Sequence, residues 1–171
     1  MSKAYKIHSA NIYLNGSNFA HVAEEITLPE VKNKTTTHAP TALGYAIDIP
    51  LGYEPMSITI KGDFDPAFMA AAADTKHVHK LQIYADLVEY DDSNGRAAEQ
   101  QVVAYLDVMF TGHKVDAFKH GEASKVEYTA SVWNYRLEIE GVEVYKHSVQ
   151  ANKHEVLGVN LNATSNSILN T

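Results

Sequence analysis

The chain reads as a mainly β protein with one short α-helix, an antiparallel barrel or sandwich from which a long loop or hairpin arm protrudes. Three observations predict this. Apolar residues recur at every second position over much of the chain, the period of a strand with one covered face. Clusters of Asn, Asp and Gly separate those runs at hairpin spacing. Helix signals gather in one place only, just after Asp65.

Taken in order, Ile12 and Leu14 alternate with their neighbours and run into Asn15 and Gly16. These two residues tolerate the positive φ of a tight hairpin turn, and Phe19 and Val22 follow them. Met56, Ile58 and Ile60 alternate with Ser57, Thr59 and Lys61. Asp65 suits a helix N-cap and Pro66 the first helical position, so a short helix is expected through Phe68 to Ala73, plugging one end or side of the barrel. Leu81, Ile83, Ala85 and Leu87 share one parity. A turn cluster at residues 91–95 separates them from Val102, Ala104, Leu106, Val108 and Phe110.

The last long run changes face. Val126, Tyr128, Ala130 and Val132 share one parity, whereas Trp133, Tyr135, Leu137 and Ile139 take the other. A strand changes its buried face only where a bulge shifts the register or both faces become covered. A change of packing environment is therefore expected near Val132, at a shared wall or a neighbouring subunit. Glu140 and Gly141 then turn the chain toward Val142 and Val144.

The whole chain, residues 1–171, reads as one domain, and two of its segments do not belong to a compact monomer. Residues 27–50 form an arm with a threonine-rich tip and apolar Tyr45, Ile47 and Ile49, longer than a structureless loop of about 12–15 residues. Residues 148–171, rich in Asn and Ser, read as a loosely held C-terminal arm that orders on assembly.

Composition excludes several chemistries. With no cysteine there is no disulfide, thiol nucleophile or thiolate-bound metal. A formal charge of −7 opposes nonspecific binding to nucleic acid or anionic membrane. The N-terminal residues lack the apolar stretch of a signal peptide, and no run reaches the roughly 20 apolar residues of a membrane span. His77 and His79 with Asp74 resemble a metal set but read as a polar strand entry. His113 and His120 have no carboxylate partner pattern for acid–base work. Residues 91–95 lack the glutamate of a calcium loop, and Asp63 with Asp65 is no acid–base pair, because Asp65 serves the helix. Three sequons, at Asn15, Asn33 and Asn162, carry meaning only in a secreted protein. No cofactor site is expected, and no enzyme activity. Trp133 and ten tyrosines leave one further class open, a lectin-like ligand-binding sandwich that would stay monomeric or form small closed oligomers.

In their order along the chain, residues 11–16 (NIYLNG), 26–29 (ITLP) with Lys32 and Lys34, 46–52 (AIDIPLG), 56–62 (MSITIKG), 111–114 (TGHK), 134–141 (NYRLEIEG) and 157–160 (LGVN) resemble the major tail tube proteins of contractile-tailed phages and R-type pyocins. The chain departs from that pattern at residues 35–40, which lack the Tyr-Arg and paired glycines expected there. Asn160 replaces the usual aspartate, and residues 162–167 lack basic side chains.

The resemblance implies hexameric rings stacked into the inner tube of a contractile tail, a conduit for DNA ejection. The tube of a type VI secretion system or of a DNA-free pyocin is the alternative. The implied partners are further copies of the chain, a sheath protein outside, a tape measure protein and then DNA in the lumen without specific binding, and baseplate and tail terminator proteins at the ends, with no membrane. Such a chain assembles in the host bacterial cytoplasm and resides in the virion tail. On this reading Leu28, Pro29, Val31, Lys34, Tyr45, Ile47 and Ile49 are expected at contacts between subunits and stacked rings. Ser57, Thr59, Lys61, Glu127, Thr129 and Ser131 are expected to face the lumen, where small and polar groups offer no apolar foothold.

Overall fold

The computed structural model describes residues 3–40, 44–93 and 95–170. β1 (Lys3–Leu14) turns into β2 (Ser17–Asn18) through Asn15 and Gly16, whose φ values of 49° and 84° are those a two-residue hairpin turn requires. β3 (Ala23–Thr27) follows, and then β4 (Asn33–His38) and β5 (Ile47–Tyr53). Next come β6 (Met56–Asp63), α1 (Pro66–Ala73), β7 (His79–Asp91), β8 (Gly95–Val115) and β9 (Lys125–Ile139). The chain ends with β10 (Val142–Ser148), β11 (Lys153–Val156), β12 (Val159–Asn160) and α2 (Ala163–Leu169). Among the described residues, no helix is long and apolar enough to cross a membrane.

Ten strands make one antiparallel sheet in the order β12-β11-β10-β9-β8-β7-β1-β2, with β6 joined to β9 and β3 to β6. β4 and β5 pair only with each other, which makes the expected arm a hairpin. Its residues 41–43 lie outside the described residues, as does Asn94 in the β7–β8 turn. The large sheet curls until residues 7–10 of β1 and 23–26 of β3 line opposite sides of one cleft. Among the described residues no ladder joins those strands, so the barrel stays open there.

The change of face in β9 has a local cause. Asp107 pairs with Asn134 and Val108 with Val132, which leaves Trp133 as the extra residue of a bulge. At the same point β9 exchanges its second neighbour. Residues 125–132 pair with β6 and residues 134–139 with β10. The bulge expected as one cause of the change is present, and it coincides with an exchange of ladder partner within the chain.

Phe68 and Ala72 of α1, both fully buried, fill the space inside the curl against Phe110 of β8 and Tyr128 of β9. The ring of Phe68 meets Phe19 and Tyr128 edge-on, with centroids 5.1 and 4.8 Å away. Asp65 caps the helix by accepting a hydrogen bond from the Phe68 N–H at 2.8 Å. That bond, and a second from His21, hold its carboxyl below the usual carboxylate range. Gly62 is needed where β6 passes Val22, since a Cβ there would lie 1.7 Å from the Val22 carbonyl oxygen.

The C-terminal segment differs from the loose arm expected. β11 adds to β10, β12 adds to β11, and a second short helix, α2, closes the chain. Its asparagines do the fastening. Asn152 Nδ2 donates to Asn166 Oδ1 at 2.9 Å, while Asn162 Nδ2 and Asn166 Nδ2 both donate to the Asn152 carbonyl at 3.2 Å. Residues whose composition reads as flexible are thus spent on holding one another.

Candidate assembly surfaces

The six residues expected on a lumen wall lie together. β6 and β9 pair without interruption from Met56↔Val132 to Asp63↔Lys125, and Ser57↔Ser131, Thr59↔Thr129 and Lys61↔Glu127 are direct partners on one face. The opposite face carries Ile58, Ile60, Val126, Tyr128 and Ala130, all buried. Strict alternation therefore separates an apolar core side from an outer side of small hydroxyls and charges.

That outer face is wider than the alternation of any one strand reveals. β3 continues it on one flank, where Thr27 is opposite Thr59 and Glu25 opposite Lys61. β8 continues it on the other, where Met109, Gly112 and Lys114 are opposite Ser131, Thr129 and Glu127. Lys61 Nζ lies 3.7 Å from Glu127 Oε2. At one end of the face Lys125 contacts Asp63 at 2.7 Å and also Glu24, and these carboxylates raise the ammonium pKa above its ordinary value. Sequence reasoning missed Glu25, Thr27, Met109, Gly112 and Lys114 on this face. Their place on this face depends on strand partners tens of residues away.

The residues expected between subunits divide into two groups. Pro29 is buried, and Val31 is half-buried against the core. Leu28, Lys34, Tyr45, Ile47 and Ile49 are exposed. Leu51, the extra residue of a bulge in β5, joins them at 69% exposure. Ile47 and Ile49 lie two residues apart on one face of the hairpin, opposite His38 and Thr36. They remain 50% and 39% exposed among the described residues. A second exposed apolar set, which includes Val156, Leu157, Val159, Leu161, Ile168 and Leu169, lies along β11, β12 and α2.

The base of the arm is anchored. Tyr53 places its ring 4.5 Å from that of His147 and 4.9 Å from that of His154. The two histidines share a 2.6 Å contact between their Nδ1 atoms. Such a contact needs one nitrogen to donate and the other to accept, so it holds at most one added proton. Burial lowers both imidazole pKa values, and for His147 the neighbouring His154 lowers it further.

The histidines near α1 are occupied structurally. His77 Nδ1 lies 2.7 Å from Asp74 Oδ2, while His79 is buried with Nδ1 on Asn15 Nδ2 at 2.9 Å and Nε2 on the Asp74 carbonyl at 3.3 Å. These contacts tie the β1–β2 turn to the end of the helix.

Comparison with known proteins adds a family. A family model described as phage tail tube protein FII matches residues 4–169. No curated protein matches the chain significantly. Among solved structures, a chain of the extended sheath–tube complex of an extracellular contractile injection system is 8% identical, with a TM-score of 0.56 over 77% of this chain and 88% of that one. A chain from the tube-terminating cap of the anti-feeding prophage is 11% identical, with a TM-score of 0.54 over 77% and 87%. A chain of that prophage's baseplate is 7% identical, with a TM-score of 0.51 over 81% and 94%.

Proposed function

Because this chain belongs to the phage tail tube protein FII family, we propose that it is the subunit of hexameric rings that stack into the inner tube of a contractile tail. One observation carries the reading. The sheet β3-β6-β9-β8 has an apolar face packed on its own core and an outer face that, apart from the half-buried Met109, carries small or charged groups suited to a lumen. Ser57, Thr59, Lys61, Glu127, Thr129 and Ser131 line the channel, where they leave little apolar surface to hold DNA and a tape measure protein as they pass. A net charge of −7 in every copy adds a general repulsion toward phosphate.

The arm serves the stacking. Ile47, Ile49, Tyr45 and Leu51 cover little within their own subunit, and burying each in a neighbour contributes up to about 1.5–3 kcal/mol. A sheath outside, and baseplate and terminator proteins at the ends, complete the assembly in the host cytoplasm and then in the virion. The protein acts by shape and adhesion and not by catalysis.

Negative-stain electron microscopy at low and high protein concentration tests this reading. Stacked rings or hollow tubes are expected. Monomers alone at both concentrations, together with retention on a glycan array, would replace it with a ligand-binding sandwich.

A further inference from the structure

The polar sheet has an unused strand edge on each side. Among the described residues β3 pairs with β6 alone. β8 pairs with β7 only as far as Val108, so its residues 109–115 have β9 as their one partner. Each edge contains a bulge, at Glu24 and at Thr111, and beyond it a regular stretch, residues 25–27 on β3 and 112–115 on β8. Every neighbouring pair in β3-β6-β9-β8 is antiparallel, so the two edge strands run in opposite directions. Two copies placed side by side thus bring β8 of one against β3 of the next in the orientation an antiparallel ladder requires.

Charge gives that junction a register. Across the outer face one row reads Glu25, Lys61, Glu127, Lys114, alternating in sign. The inner two lie within 3.7 Å of each other. The outer two are exposed, stand at opposite edges, and have no ion-pair partner among the described residues. We infer that Lys114 of one copy meets Glu25 of the next across a β8–β3 junction, so that ring closure completes a belt of alternating charge around the lumen. This rests on the tube reading and adds to it the contact that sets the register.

The adjoining row supports the same alignment, because Gly112 then faces Thr27 without steric conflict. A slip of one residue would turn one charged side chain to the opposite face. Closing a barrel staggers its strands, and a stagger of two residues still leaves Lys114 and Glu25 as diagonal neighbours about 7–8 Å apart, within reach of a lysine. A single exposed pair contributes little, whereas a closed network penalises every misaligned neighbour.

The test combines charge exchange with direct coupling. Lys114→Glu alone and Glu25→Lys alone are expected to raise the concentration needed for assembly by at least about tenfold, since each sets like charges face to face. The double exchange restores opposite charges across the junction while setting like charges at positions 25/61 and 114/127 within each copy, so it is expected to recover part of the loss, with thermal melting confirming that all three variants fold. Carbodiimide treatment of wild-type assemblies should join Lys114 to Glu25 between copies. Within one chain these residues are three strand spacings apart, about 14 Å, too far for direct coupling. Tubes that form without this cross-link, with single variants assembling like wild type, would overturn the belt and leave the tube reading standing. Failure of the wild-type chain to associate at all would overturn both.

Discussion

Eight consecutive residue pairs join β6 to β9, and six pairs join β4 to β5, yet the two antiparallel ladders treat their isoleucines in opposite ways. Ile58 and Ile60 are each 1% exposed, while Ile47 and Ile49, with the same spacing, are 50% and 39% exposed. The alternation in β6 is satisfied by the subunit's own core, whose centre is Phe68. The alternation in β5 leaves both isoleucines in large part exposed among the described residues. Identical local chemistry therefore serves folding in one place and association in the other, and mutation can separate the two.

The largest effect is expected at the first ladder. Phe68→Ala removes a fully buried ring from between β8, β9 and Phe19, and unfolding in urea should show a loss of about 3–5 kcal/mol. At the second ladder the outcome should be reversed. Ile47→Ser combined with Ile49→Ser should leave subunit stability within about 0.5 kcal/mol of wild type while sedimentation shows that tubes are lost. A large stability loss in that variant would mean that the arm belongs to the subunit's own core and would erase the contrast.

A smaller effect is expected where the two regions meet, at the base of the arm. His147 and His154 have lowered pKa values through burial, so the unfolded chain takes up protons that the native pair resists. Stability should be flat above the ordinary histidine value of about 6.5 and should fall as pH drops through it toward the lowered native values. Below those values it should level off. His147→Phe keeps a ring against Tyr53 and should reduce that slope in melting temperature against pH, leaving the part due to the burial of His154.

What was legible in the sequence follows the range of the interaction concerned. The turn at Asn15 and Gly16, the cap at Asp65 and the alternation of Met56, Ile58 and Ile60 are local, and each is found as expected. A break near Val132 was legible because a change of parity inside one strand has few physical causes, of which the structure shows the bulge, at Trp133. The arm was legible as apolar residues without a core of their own. By contrast, Glu25 and Lys114 reach the polar face only through ladders to residues 61 and 127, a register that no local pattern encodes. The C-terminal helix was hidden for a different reason. Its segment is held by asparagine side chains that bond across 10–14 residues, and composition alone reads those residues as flexible. Pro29 shows the limit at finer scale, because beside an exposed Leu28 it packs inward.

The most direct measurement is a cryo-EM reconstruction of tubes assembled from the purified chain, read for the face that borders the channel. The account predicts a continuous inner wall of β3, β6, β9 and β8, with Ser57, Thr59, Lys61, Glu127, Thr129 and Ser131 pointing into it and the β4–β5 hairpin seated on a neighbouring subunit. A channel bordered instead by the hairpin or by the β11–β12 edge, with the β6–β9 face turned outward, would contradict it.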